Sequence, residues 1–115
     1  MNYFITRHPG ALQWLQQCNL GPAQHFPHLE ERLLNSLTPA DVVIGTLPVS
    51  LVAEVNRRGA RYLHLRVDMP PALRGQELDI AQLHDLGAEL VEYVVHQPLS
   101  DDAVSFPLEM QEDWP

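Results

Sequence analysis

Apolar positions in this chain come in short runs with two rhythms, and the alternation between them predicts its elements. Asn2 to Arg7 is a compact run of strand length; Gly10 to Leu20 sets Leu12, Leu15 and Cys18 at helical spacing before Gly21. Residues 23 to 28 predict a weak second strand broken by Pro27, and Leu29 to Leu37 a helix with Leu29, Leu33, Leu34 and Leu37 as its inward stripe. Val42-Val43-Ile44 is the strongest strand signal, a β-branched run expected in the middle of a parallel sheet. After Gly45-Thr46-Leu47-Pro48, the pattern predicts a helix from Val49 to Arg58 closed by Gly59, then a strand from Arg61 to Val67. Pro70 and Pro71 force a loop; Leu78 to Leu86 reads as a helix ended by Gly87, and Glu89 to Val95 as the last strand.

Strand and helix alternate throughout, which implies an α/β domain: a mainly parallel five-stranded sheet with helices on both faces and right-handed crossovers. The expected fold is a small Rossmann-like domain over residues 1 to 97. Residues 98 to 115 show no periodicity, and Pro98, Pro107 and Pro115 oppose a helix, so an extended acidic tail is expected. Its Phe106, Leu108 and Trp114 are candidates to dock on the domain or on a second subunit.

Composition narrows the function. At 115 residues the chain suits one core, and no apolar run approaches the roughly 20 residues that span a bilayer. With no signal-like start, a cytoplasmic protein with no membrane partner is expected. The lone Cys18 excludes an internal disulfide and a cysteine-rich metal site, and the other histidines show no ligand spacing, so no metal or cofactor is expected. A net charge of −8 argues against long nucleic acid as a partner, since that affinity comes from many phosphate contacts. A small anion remains compatible, because five of the fifteen acids lie in the last fifteen residues. All seven basic residues are arginine, which removes lysine-based mechanisms.

The candidate chemistry gathers where strands hand over to helices. Thr6-Arg7-His8-Pro9-Gly10 follows the first strand, and Gly45-Thr46-Leu47-Pro48 the central one. Each supplies a hydroxyl, a glycine and a proline at the start of a helix, whose first amides lack intrahelical partners and attract anions. Arg7 offers a planar fork for phosphate oxygens, and His8 is a proton carrier that titrates near neutrality. In open α/β sheets ligands bind beyond the carboxyl ends of the strands, where both segments fall. A third segment, Arg74-Gly75-Gln76-Glu77-Leu78, is expected to bring Arg74 over the same crevice, with Glu77 orienting an arginine or bonding a base or ribose. The plainer alternatives are a surface ion pair for Arg7, a turn role for His8, a helix cap for Thr46 and a local Arg74–Glu77 pair.

These segments, in this order, resemble the Csx-sixteen group of CRISPR-associated proteins. The matching residues are Tyr3 to Ala11, Asp41 to Val49, Gly59 to Tyr62 and Arg74 to Leu78, within a resemblance covering about residues 2 to 95. It implies a dimeric, CARF-like Rossmann protein of type III CRISPR systems that cleaves cyclic tetra-adenylate as a ring nuclease, ending the antiviral signal. Beside that resemblance, the residues suggest a metal-free reaction in which a ribose 2′-hydroxyl attacks its neighbouring phosphate. Arg7 and Arg74 would stabilise the nonbridging oxygens, and His8 would protonate the leaving 5′-oxygen. Thr6, Pro9, Gly10, Gly45, Thr46, Leu47, Pro48, Gly75 and Glu77 would hold the ligand. A two-fold homodimer would present each motif twice around a four-fold ring. One rival is a dimer that sequesters the cyclic nucleotide uncut; another is a histidine phosphatase, whose strand-Arg-His-Gly signature is interrupted here by Pro9.

Overall fold

Val43 and Ile44 are adjacent, point to opposite faces of one sheet and are 0% and 1% exposed, so both faces of that sheet must be covered. The computed structural model describes residues 1–98. Its elements are β1 (Asn2–Ile5), α1 (Pro9–Gln16), β2 (Ala23–Phe26), α2 (Glu31–Ser36), β3 (Val42–Gly45), α3 (Val49–Arg57), β4 (Arg61–Arg66), α4 (Ile80–Asp85) and β5 (Glu89–Glu92). A single 3₁₀ turn, Pro71–Leu73, follows the double proline. The sheet order is β2-β1-β3-β4-β5; β1 to β4 run parallel, and β5 is antiparallel to β4.

Strand alternation sorts the core into two layers. On one face Ile5, Val43 and Tyr62 pack with Leu34 and Leu37 around α2 and with Val52 and Val55 of α3. On the other, Phe4 and Ile44 meet Leu15 of α1, and Leu65 meets Ala11 of α1 and Leu83 of α4. Each fully buried Val, Leu or Ile contributes roughly 1.5–3 kcal/mol. The molecule is thus a small α/β domain with a mostly parallel five-stranded sheet and four α-helices among the described residues.

Two elements differ from their sequence patterns for local reasons. Helix α1 stops at Gln16, not Leu20: the Gln17 and Cys18 amides bond the Trp14 and Leu15 carbonyls three residues back, and Asn19 turns left-handed at φ 54°. The Asn2 side chain then donates to the Leu20 carbonyl at 2.7 Å, pinning the returning chain to β1. Strand β5 ends at Glu92, not Val95, and its direction breaks the parallel pattern. Glu89 at its start faces Arg66 at the end of β4, so the chain enters β5 from the edge where β4 leaves. The six residues of α4 span only about 9 Å and do not carry the chain back across the sheet. Past β5, the Val95 amide bonds the Asn56 side chain of α3 at 2.8 Å. Apart from Pro98, the expected tail of residues 98 to 115, with Phe106, Leu108 and Trp114, lies outside the described residues.

Candidate functional site

β1 and β3 are neighbours whose following connections diverge, one toward β2 and the other toward β4. Divergence at that point opens a crevice beyond the carboxyl ends of the two strands. Both helices that begin there lack a side-chain cap and carry no acid in the first turn, leaving amide donors at their starts. By contrast α4 is closed by a full capping box, with Asp79 and Gln82 bonding each other's backbone amides. Thr46 is not a cap: Pro48 occupies that position, and Thr46 is exposed beside the crevice.

Thr6 is the fixed point of the wall. Its hydroxyl accepts the His8 amide at 3.1 Å, its own amide bonds the Phe26 carbonyl, and its carbonyl accepts Nε2–H of His25 at 2.8 Å. With Thr6 buried and so engaged, Arg7 and His8 are exposed at the crevice. The second loop is held from below by Tyr62 of β4. Its hydroxyl accepts the Leu47 amide at 2.8 Å and donates to the Gly45 carbonyl at 3.0 Å. The same hydroxyl lies 2.7 Å from Nδ1 of the His64 imidazole. Burial holds the His64 pKa below the usual histidine value and raises that of Tyr62, so both are neutral near pH 7.

Thr6, His8 and Thr46 separate two cavities. Toward α1 and α4 lies one of about 210 Å³ with apolar walls that include Leu15, Leu65, Met69 and Leu83, and with Gln76 and Glu77 among its polar residues. This is smaller than the roughly 300–1,000 Å³ typical of pockets for drug-sized ligands. Toward α2 and α3 lies a more open cleft of about 470 Å³ lined by Arg7, His28, Leu47 and Pro48 as well as the shared wall. Among the described residues no aspartate or glutamate lines this second cleft.

Of the residues singled out in the sequence, Thr6, Arg7, His8, Gly45, Thr46, Leu47, Pro48 and Glu77 line one cavity or the other. Glu77 meets His8 and not an arginine, its Oε1 lying 3.8 Å from Nδ1, an ion pair whenever the imidazole is protonated. Pro9 and Gly10 lie on a shallow groove beyond Glu77. Gly10 and Gly45 serve contacts within the protein: a Cβ on Gly10 would stand 2.0 Å from the Leu78 carbonyl oxygen, and one on Gly45 2.4 Å from that of Ile5. Arg74 and Gly75 line neither cavity, although Gln76, Glu77 and Leu78 from the same loop do.

The sequence matches the family described as Putative CRISPR-associated protein (Cas_VVA1548) over residues 3–96, a span holding every strand from Tyr3 of β1 onward and both crevice loops. The chain belongs to that family. No curated protein and no solved structure matches it.

In this Cas_VVA1548 protein the arginines divide by partner. Arg57 and Arg58 pair with Glu54 at 2.8 and 2.9 Å, Arg61 with Glu92 at 2.8 Å and Arg66 with Glu89 at 3.4 Å. Among the described residues Arg7, Arg32 and Arg74 have no carboxylate partner. The ion-pair alternatives for Arg7 and Arg74 therefore do not occur there. Sequence reasoning missed Tyr62, whose signal was only an aromatic in an alternating strand, and His28, whose neighbour Pro27 pointed to nothing beyond a turn. Among the described residues no three His, Cys, Asp or Glu side chains group to hold a metal ion, and no helix is long and apolar enough to cross a membrane.

Proposed function

We propose that this protein is a ring nuclease that cleaves cyclic tetra-adenylate in type III CRISPR defence, acting as a homodimer of CARF-like, Rossmann-like domains. The observation that carries the reading is the crevice between β1 and β3. There Arg7 has no carboxylate partner and lines a cleft with no carboxylate, both among the described residues, in an acidic chain. Membership of a CRISPR-associated family and the apolar-walled cavity next door support it.

In this reading a base enters the cavity between α1 and α4, and the adjoining phosphodiester crosses the Thr6–Thr46 wall to Arg7. The guanidinium pairs with the nonbridging oxygens as charge builds during attack by the ribose 2′-hydroxyl. His8, beside Glu77, gives its proton to the departing 5′-oxygen. Arg74 sits on the connection between β4 and α4, outside both cavities, so its contribution requires that loop to close over bound ligand. A two-fold dimer would then set a crevice at each of two opposite phosphates.

Labelled cyclic tetra-adenylate incubated with the protein, with and without EDTA, tests the reading. Linear adenylates ending in 2′,3′-cyclic phosphate are expected under both conditions. Cleavage that EDTA abolishes would remove the metal-free route, and ligand bound tightly but never cut would make the protein a sponge.

A further inference from the structure

The cleft toward α2 and α3 places a second histidine at the site. His28, on the turn between β2 and α2, lines it with Arg7 and His8 from the β1–α1 turn. We propose that this cleft is a phosphodiester subsite in which His28 accepts the 2′-hydroxyl proton while His8 supplies the proton to the leaving oxygen. This rests on the reading of the crevice as a phosphodiester-cleaving site, and it assigns the base that reading lacks.

Charge and placement carry the argument. Among the described residues, every ionisable side chain lining the cleft is an arginine or a histidine, in a chain with fifteen acids and seven arginines. Among the described residues, the charged and titratable groups that share the cleft with His28 are Arg7 and His8, and α3 contributes only the uncharged Leu51 to the lining. On the α2 side, Leu29 is uncharged, while Glu30 and Glu31 are exposed and outside the lining. His25 of β2 is committed to the Thr6 carbonyl, so His28 is the β2-side histidine whose ring is left for a ligand. His8 also lines the smaller cavity and meets Glu77 there, whereas His28 belongs to the cleft alone. The two histidines thus line one cleft with Arg7, and among the described residues only His8 also meets a carboxylate.

The step balances. The 2′-O–H bond breaks and its proton passes to neutral His28 as the 2′-oxygen bonds phosphorus. The P–O5′ bond breaks, and protonated His8 delivers its proton to O5′. The products are a 2′,3′-cyclic phosphate and a 5′-hydroxyl, and proton exchange with water resets both imidazoles.

Two measurements separate this proposal from the activity it rests on. In the first, the histidine rings of the ¹⁵N-labelled protein are followed by NMR while inorganic phosphate is added. Shifts at His28 and His8 with His84 and His96 still are expected, and silence at His28 overturns the subsite whether or not the protein cuts cyclic tetra-adenylate. The second takes the pH–rate profile of wild type, His28→Asn and His28→Gln on cyclic tetra-adenylate, with thermal melts as the folding control. Loss of the acidic limb of the profile, with kcat down about a hundredfold and KM little changed, supports the assignment. An unaltered profile in a folded variant overturns it. A wild type that shifts at His28 with phosphate yet leaves the cyclic ligand intact overturns the nuclease reading and His28's role as base, and leaves only an anion site.

Discussion

The Tyr62 hydroxyl, rooted in β4, accepts the Leu47 amide at 2.8 Å and so shapes the loop that leaves the neighbouring strand β3. The same hydroxyl donates to Gly45 and lies 2.7 Å from Nδ1 of His64, so one buried group ties the end of β3 and its loop to β4. Tyr62→Phe strips partners from the Leu47 amide and from Nδ1 of His64. A destabilisation of about 1–3 kcal/mol is expected from chemical denaturation, since buried polar groups are left unpaired. An unmoved midpoint would show that the hydroxyl holds nothing.

His64 gives the fold a pH dependence. Its pKa is lowered by burial in the folded protein, so the unfolded chain binds more protons once the pH nears the ordinary histidine value. The neutral imidazole therefore contributes stability above that value, and the contribution is lost as pH falls toward the folded pKa. Melting temperatures measured from neutral pH into the acid range should fall over that window, and His64→Gln should flatten this component. An equal slope in both proteins would place the effect elsewhere.

At Gly10 the restriction is steric. A methyl group there would meet the Leu78 carbonyl oxygen at 2.0 Å and Asp79 Cα at 3.0 Å, both backbone atoms that cannot rotate aside. Gly10→Ala must push α1 away from the loop carrying Gln76 to Leu78, which lines the smaller cavity. Overpacking of this kind typically costs about 1–3 kcal/mol, and a matching drop in thermal stability is expected. A variant that melts like wild type would mean that the loop moves freely.

Arg7 and Arg74 have no carboxylate partners among the described residues, so removing either should leave the melting temperature almost unchanged. Turnover of cyclic tetra-adenylate should fall about 10- to 150-fold in Arg7→Ala, the range of one lost charge-assisted hydrogen bond. Arg7→Lys should recover only part of it, because a point charge does not reproduce the fork. Arg74→Ala should matter only where the loop closes, with a smaller loss in kcat/KM. Equal losses in the two alanine variants would contradict their unequal placement around the cavities.

The strongest signals in the sequence were those that periodicity and turn chemistry set locally. Val42 to Ile44 announced a central strand, and Arg7 and Thr46 announced a shared strand-end crevice, because both segments follow strands now seen side by side. Long-range partners carried no such signal. Glu77 was expected to orient an arginine or to bond a base or ribose, and its side chain lies by His8; Tyr62 was not singled out for the site and holds a loop of it; His28 had no spacing to single it out. Each depends on which strands become neighbours, which a single sequence does not state.

The sequence by itself determined the alternation of elements, the five strands, the two anion-friendly turns and the arginine-only set of permanent cations. These follow from hydrophobic rhythm and residue chemistry acting over a few positions. Only the tertiary structure decided that β5 runs antiparallel, that Gly10 and Gly45 make room for neighbouring backbone, and that among the described residues Arg57, Arg58, Arg61 and Arg66 have carboxylate partners while Arg7 has none. The reason is that strand register and the docking of short helices bring together residues far apart in the chain. The fate of a charge or a hydroxyl is set by those neighbours.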